Sequence, residues 1–314
     1  MRMAARALRP KAAAAIAGWH DAAMADVADH APVDQQARYD RIASGYERWW
    51  APVLVDSALR VLDDIAGDIA ARPDAHVLDL GTGTGTLARA IVRRWPAVRV
   101  TAIDISDEML RAANRAADAE LSADASARIA LVQAPADRLP FDDGSLDLAV
   151  SSFVLQLVPN RQAVLREVAR VLGPRRRFAF VTWLADRGPW PPDAVLDEVL
   201  DEAGFGPKEA DDRRGDPASV SAVTTGLRRA GFRDVHGRRG TLAHPFTPGS
   251  YLGFVEEFDE EDTFAQMGRR TRDRVRRRLL SELRAMPEDE LVFRVPIVYA
   301  TGLAPGTTPL PGAS

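Results

Sequence analysis

The stretch His76-Val77-Leu78-Asp79-Leu80-Gly81-Thr82-Gly83-Thr84-Gly85-Thr86 decides the fold. Its first five residues are typical of a short buried strand, and apolar residues then repeat at helical spacing at Leu87, Ala88, Ile91 and Val92. A strand that runs directly into Gly-x-Gly-x-Gly and then a helix leaves bare backbone at the carboxyl end of the strand. The pattern predicts a nucleotide-like pocket, and a glycine turn that serves only strand–helix packing is the alternative.

Strand-like and helix-like segments alternate outward from this stretch. The predicted strands are 76–80, 98–103, 129–132, 146–151, 178–183, 232–239 and 291–300. Strands separated by helices indicate βαβ units with right-handed crossovers. Ser106 and Asn160 are predicted as the N-caps of two of these helices. We therefore expect an α/β fold with a mostly parallel, seven-stranded, Rossmann-like sheet, helices on both faces and an inserted helical cap. Pro296 suits an edge strand or a bulge better than a central strand.

Composition divides the chain into five parts. We expect a disordered or loosely helical arm at 1–30, N-terminal helices at 31–70, a cofactor-binding core at 71–183, sheet completion and a substrate cap at 184–303, and a disordered Pro/Gly/Thr-rich tail at 304–314. Helices in the last third are predicted at about 193–203, 217–230, 250–258 and 262–285. In the last of these the apolar residues form one stripe, which puts most arginines of 269–278 on a solvated face.

Charge and composition exclude several classes of function. The 314 residues carry a formal charge of -4, so no global field attracts nucleic acid or an anionic membrane. Cysteine is absent, which excludes disulfides, thiolate metal sites and a cysteine nucleophile. No apolar run approaches the ~20 residues that span a bilayer. We expect a cytoplasmic protein without metal, nucleic-acid partner or membrane span, and its oligomeric state stays open.

Spacing and charge decide which cofactor the pocket suits. A dinucleotide fingerprint is Gly-x-Gly-x-x-Gly, and counting from Gly81 its last glycine is replaced by Thr86. Asp79 stands just before the turn, where a carboxylate repels a pyrophosphate and attracts an ammonium group, directly or through water. S-adenosylmethionine has such an ammonium group and no phosphate. Asp104 ends the next strand roughly 20 residues after the turn, the position of an acid that accepts ribose hydroxyls.

Four segments of the sequence carry a family resemblance. Val77–Gly85 resembles the first motif of class I S-adenosylmethionine-dependent methyltransferases, and Asp104–Leu110 resembles their second. Leu139–Asp147 and Arg38–Tyr46 are similar to segments of the subgroup that contains ubiquinone/menaquinone-biosynthesis and malonyl-carrier-protein methyltransferases. The resemblance covers about 38–183. It implies the fold expected above and transfer of a methyl group from S-adenosylmethionine to an O, C or N atom by in-line displacement.

The resemblance also implies roles for single residues. Asp104 would hold the ribose, Ile105 would pack on the adenine, and the turn would line the methionine and ribose portions. The cofactor-binding residues predicted in this way are Tyr39, Tyr46, Asp79, Gly81, Thr82, Gly83, Asp104, Ile105, Met109, Ala136, Asp137 and Ser151. One departure is Pro135, which replaces the acid that would meet the adenine amino group. Asp137 or the backbone N–H of Ala136 would compensate.

The methyl acceptor is less well specified. Methyl transfer mainly requires alignment and exclusion of water. His244 and His236 are the candidates for a general base, and a surface or structural role is the alternative for each. Aromatic residues outside the core favour a small or medium-sized, partly apolar or aromatic acceptor, with Trp190 and Tyr251 expected to contact it. An NAD-dependent oxidoreductase and a non-catalytic S-adenosylmethionine-binding module are the alternative functions.

Overall fold

The computed structural model describes residues 39, 40, 43, 45–185, 188–206 and 215–306. The predicted arm at 1–30 and most of the predicted tail lie outside these residues. Continuous helical structure begins with a π-helical turn at Tyr46–Trp50, followed by α1 (Ala51–Leu59), a 3-10 turn at Arg60–Asp64 and α2 (Ala66–Ala71). No helix within the described ranges is long and apolar enough to cross a membrane.

Seven strands form a single sheet. They are β1 (His76–Leu80), β2 (Arg99–Asp104), β3 (Ile129–Gln133), β4 (Leu146–Ser152), β5 (Leu172–Trp183), β6 (Arg233–Pro245) and β7 (Val292–Leu303). Their order across the sheet is β3-β2-β1-β4-β5-β7-β6. The first five strands are parallel, and β7 runs antiparallel to both of its neighbours. The predicted fold class is confirmed.

Helices cover the sheet and build the cap. Those between the parallel strands are α3 (Thr86–Arg94), α4 (Asp107–Glu120), α5 (Ala123–Ser126) and α6 (Arg161–Val171). After β5 follow α7 (Pro191–Glu202), α8 (Val220–Arg229), α9 (Pro248–Phe254), a second π-helical turn at Val255–Asp259, α10 (Glu261–Gln266) and α11 (Arg269–Ala285). Ser106 and Asn160 accept hydrogen bonds from the N–H groups of Met109 and Ala163, so both predicted helix caps are present.

Two predictions about the last third were wrong. The strand that contains Pro296 is not an edge, because β7 lies between β5 and β6. The proline is tolerated because β5 pairs with β7 only as far as Trp183 and Ile297, and beyond that point the N–H of Leu184 donates to the Pro296 carbonyl. The helix predicted at 262–285 is two helices, since Gly268 is extended and begins α11.

The cap has its own aromatic interior. Tyr251 is fully buried, its hydroxyl donates to Asp193 at 3.0 Å, and its ring packs edge-on against Trp190. The indole N–H of Trp190 in turn donates to the carbonyl of Glu290. These contacts make Tyr251 a packing residue of the cap, which corrects the expectation that it contacts the acceptor.

Replacing Tyr251 by alanine is expected to lower the free energy of unfolding by about 3–5 kcal/mol, because a buried ring leaves a cavity. Tyr251→Phe keeps the ring and loses only the bond to Asp193, so we expect it to cost about 1.5–3 kcal/mol. Denaturant titration of the two variants measures the difference. A loss below about 1 kcal/mol for Tyr251→Ala would remove the packing role.

Candidate functional site

The glycine turn after β1 forms the floor of the candidate site. Gly81 and Gly83 have φ angles of 66° and 53°, a backbone conformation that disfavours any side chain. A Cβ atom on Gly81 would overlap the side chain of Val154, which lies against this position. A Cβ atom on Gly83 would come only to 3.9 Å from Cε1 of Tyr46. The backbone is therefore bare at Gly83 and tightly covered at Gly81.

Asp79 lies beneath this turn and is 1% exposed. Its Oδ2 accepts hydrogen bonds from the Thr82 hydroxyl at 2.6 Å and from the Ala88 N–H at 3.1 Å. Burial raises the pKa of Asp79 to about 6, an effect that these two hydrogen bonds oppose. The carboxylate thus fixes the turn to the start of α3, and it contributes negative charge to the site.

Asp104 approaches the same turn from the end of β2. One carboxylate oxygen accepts the N–H of Gly83 at 2.8 Å, and the other accepts the N–H of Ser106 at 3.0 Å. Burial also raises the pKa of Asp104. Two acids predicted from separate motifs therefore act on one loop, and the glycine turn and the ribose-position acid come together as the sequence predicts.

The N-terminal helical segment closes over the turn. The ring of Tyr46 lies beside Gly83, and burial, Tyr39 and Asp104 together raise the pKa of its hydroxyl. Sequence reasoning missed Asp40, whose Oδ1 accepts the hydroxyl of Ser106 at 2.5 Å. A carboxylate at the start of α4 suits the helix dipole, but no local pattern linked Asp40 to that helix.

A small cavity of about 30 Å³ separates α1 from the turn. It is lined by Tyr46, Ala51, Leu54, Val55, Ala58, Gly81, Thr82, Thr84, Thr86 and Ser152. The volume suits about one or two water molecules, which is smaller than a nucleoside. Ser152 lines the cavity, whereas the predicted Ser151 donates its hydroxyl to the carbonyl of Leu80 and joins β4 to β1.

The remaining predicted cofactor residues lie around the ends of β2 and β3. Ile105 and Ala136 are half-buried, and the Gln133 amide donates to the Ile105 carbonyl at 2.9 Å. Met109 is buried on the inner side of α4. Asp137 is exposed in the segment after β3, and its contact with the adenine amino group in place of the acid at position 135 stays a prediction.

Neither predicted general base lines the cavity. His236 is 72% exposed, bonds to Asp234 at 3.0 Å and lies four strands from β1, about 19 Å away at the usual strand spacing. Its position contradicts a catalytic role at the glycine turn. His244 lies at the end of β6 with its ring edge-on to Phe246, and burial lowers its pKa. Burial against an aromatic ring indicates a packing role for His244.

The charges of the cleft fit a cationic ligand. Asp79 and Asp104 are both held against the turn, and the nearby guanidinium of Arg89 is directed to the carbonyl of Thr84 and to Glu120. A pyrophosphate would meet two carboxylates, and within the described ranges no other cation is hydrogen-bonded at the turn. The positive ammonium and sulfonium groups of S-adenosylmethionine are attracted by these two carboxylates, and the Asp104 carboxylate can accept hydrogen bonds from ribose hydroxyls.

Comparison with known proteins agrees with this geometry. Residues 77–175 match a methyltransferase domain family. The chain is 30% identical over 221 residues to the ubiquinone/menaquinone biosynthesis C-methyltransferase UbiE of Methylobacterium nodulans. This match covers 69% of this chain and 75% of that protein. This chain belongs to the class I S-adenosylmethionine-dependent methyltransferases. The predicted family and the family's cofactor, S-adenosylmethionine, are confirmed.

The chain is also similar to the malonyl-[acyl-carrier protein] O-methyltransferase of Laribacter hongkongensis, with 38% identity over 154 residues. That match covers 47% of this chain and 49% of the relative. The chain thus spans about half the length of this relative and 58% of the UbiE protein of Paracoccus denitrificans. The YcgJ protein of Bacillus subtilis is similar in fold alone, with a TM-score of 0.52, 20% identity and coverage of 79% of this chain and 99% of that chain.

The raised pKa of Asp79 predicts a pH dependence of cofactor binding. In the unliganded protein the folded state binds more protons than the unfolded state between about pH 4 and 6, so this carboxyl's contribution to stability is lost as pH rises through that window. A cation favours the ionised form instead. We expect affinity for S-adenosylmethionine to fall by up to about tenfold per pH unit below pH ~6.

Calorimetric titrations between pH 5 and 8 measure this dependence. In Asp79→Asn the fall below pH 6 should become shallower, with Asp104 responsible for what remains. An identical pH profile in the variant would show that Asp79 is not the titrating group.

Proposed function

We propose that this protein transfers a methyl group from S-adenosylmethionine to an O, C or N atom of a small or medium-sized, partly apolar or aromatic acceptor. The observation that carries the proposal is the pair of carboxylates, buried Asp79 and half-buried Asp104, on the glycine turn. The guanidinium of Arg89, which also lies at this turn, is directed to the Thr84 carbonyl and to Glu120. An oxidoreductase that binds NAD would have to place a pyrophosphate beside both carboxylates.

The residues of the turn would hold the cofactor. Asp104 would accept ribose hydroxyls, a role that its position at the carboxyl end of β2 and its hydrogen bond from the Gly83 N–H support. Asp79 would stabilise the cationic end through the field of its carboxylate. When bound, S-adenosylmethionine supplies an electrophilic methyl carbon. Val154, which lies tightly against Gly81, and Tyr46, whose ring lies beside Gly83, would exclude water from that carbon.

An aromatic wall next to the turn supports an apolar acceptor. The ring of Phe153 lies 4.4 Å from that of Trp183, which is half-buried at the end of β5. Trp50 lies 6.2 Å from Trp183 and stacks on Phe258, whose ring meets Tyr46 edge-on. Contacts therefore run without a break from the cofactor turn into the aromatic wall.

Turnover with a panel of acceptors tests the proposal. Phenols, quinols, carboxylic acids and amines are incubated with the protein and S-adenosylmethionine, and S-adenosylhomocysteine is quantified by mass spectrometry. We expect at least one apolar or aromatic member to give turnover that Asp104→Ala lowers at least about tenfold when S-adenosylmethionine is below saturation. Binding of S-adenosylmethionine without turnover of any acceptor, from the panel or from a metabolite extract, would identify a non-catalytic binding module.

Trp183 provides a prediction about the acceptor alone. Trp183→Ala should raise the acceptor KM at least about tenfold, a loss of about 1.4 kcal/mol, since the apolar wall is removed. The dissociation constant for S-adenosylmethionine should change by less than about threefold. Trp95→Ala is the matched control, because Trp95 follows α3 at its far end from the turn. Equal losses of cofactor and acceptor binding in Trp183→Ala would place this ring in the cofactor pocket.

A further inference from the structure

The segment that follows β4 has an unusual backbone. Phe153 adopts a φ of 56°, a left-handed conformation that is rare for a bulky side chain. Its N–H still donates to the Val181 carbonyl of β5 at 2.9 Å, so the strain begins directly after the sheet ends. Backbone strain of this kind persists only where surrounding bonds enforce it.

The side chain of Gln156 supplies those bonds. Its amide nitrogen donates to the Phe153 carbonyl at 2.6 Å, and its amide oxygen accepts the Thr182 hydroxyl at 2.6 Å. Gln156 is 8% exposed and Thr182 is 1% exposed, so water does not replace either bond readily. One amide therefore ties the strained residue to β5.

Two contacts at the proposed site are made by the residues next to this tie. The Phe153 ring supports Trp183 at a centroid distance of 4.4 Å. The next residue, Val154, lies against Gly81, where an added Cβ would come within 2.7 Å of its Cγ1. Of the two residues that follow β4, Phe153 thus contacts the aromatic wall and Val154 contacts the glycine turn.

We propose that Gln156 is a positioning residue for methyl transfer. It holds Phe153 in the left-handed conformation, which keeps Trp183 and Val154 at a fixed separation across the reacting centre. The proposal rests on the proposed function. Displacement of a reacting group by about 1 Å can reduce rate a hundredfold, so loss of this tie should act on turnover more than on cofactor binding.

Four variants test the role. Gln156→Leu and Thr182→Val each break the tie, while Thr182→Ser keeps the hydroxyl. Gln162→Leu is the matched control, because its amide nitrogen is buried and has no hydrogen-bond partner in the described part of the chain. The readouts are kcat/KM for the acceptor found in the panel, the dissociation constant of S-adenosylhomocysteine by calorimetry, and the melting temperature.

We expect Gln156→Leu and Thr182→Val to lower kcat/KM about a hundredfold, with S-adenosylhomocysteine affinity within about threefold of wild type. The double variant Gln156→Leu/Thr182→Val should have about the same kcat/KM as Gln156→Leu alone, because both changes break the same tie. Thr182→Ser and Gln162→Leu should keep kcat/KM within about threefold of wild type. Unchanged kcat/KM in Gln156→Leu overturns the proposal. Parallel losses of turnover, affinity and melting temperature also overturn it, because they indicate a purely structural role.

If the wild-type protein turns over no acceptor, the proposed function is wrong. Crystal structures of the variants then test separately whether Gln156 holds Phe153 in its left-handed conformation. In Gln156→Leu we expect Phe153 to leave positive φ and its ring to move away from Trp183, while Gln162→Leu keeps both features. A Gln156→Leu structure with Phe153 unchanged overturns the positioning role regardless of activity.

Discussion

Replacing Gly81 by alanine is expected to abolish measurable binding of S-adenosylmethionine. The φ of 66° costs an alanine about 1–2 kcal/mol, and its Cβ overlaps Val154, whose branched side chain has few alternative rotamers. Overpacking of this kind adds about 1–3 kcal/mol. We therefore expect the free energy of unfolding to fall by about 2–5 kcal/mol and cofactor affinity to fall at least a hundredfold.

Gly67→Ala is the matched control for this prediction. Gly67 lies in α2, and nothing within 4 Å meets an added Cβ. Alanine there should be neutral or stabilise the protein by up to about 1 kcal/mol. Thermal denaturation and calorimetry of the two variants measure both effects. A Gly81→Ala protein that keeps wild-type affinity would show that the turn does not contact the cofactor.

Asp104→Ala is expected to weaken cofactor binding by about 1.5–3 kcal/mol, because a charged acceptor for ribose hydroxyls is lost. The structure adds a second cause. The N–H groups of Gly83 and Ser106 lose their shared acceptor, so the turn itself becomes less ordered. Tenfold or greater loss of affinity should therefore accompany a modest loss of stability.

Asp118→Ala controls for the removal of a carboxylate from the same region. Asp118 is an exposed residue of α4 that accepts only from Asn114 among the described residues. Its replacement should leave the dissociation constant within about twofold. Equal affinity of the wild type and Asp104→Ala, measured by calorimetry, would remove the ribose assignment.

The sequence predicted what local patterns encode. Strand periodicity, the glycine turn and the helix caps at Ser106 and Asn160 each depend on residues a few positions apart. The meeting of Asp79 and Asp104 also followed, because the carboxyl ends of adjacent parallel strands share one edge.

Features that depend on distant packing were not predictable in this way. The bond between Ser106 and Asp40 spans 66 positions, and no periodicity marks it. The sequence predicts Ser151 as a cofactor-binding residue, whereas its neighbour Ser152 lines the cavity. Adjacent residues of a strand face opposite sides of the sheet, so an offset of one residue changes which side chain reaches the site. The sequence alone predicts that Tyr251 contacts the acceptor. Its burial depends on which helices of the cap pack against it, and no local pattern gives that information.

Calorimetric titration of the wild-type protein with S-adenosylmethionine, and separately with NAD, tests the central claim most directly. Asp79 and Asp104 at the glycine turn predict a single site for S-adenosylmethionine of roughly micromolar affinity and no detectable binding of NAD. Binding of NAD with no heat from S-adenosylmethionine would contradict the account.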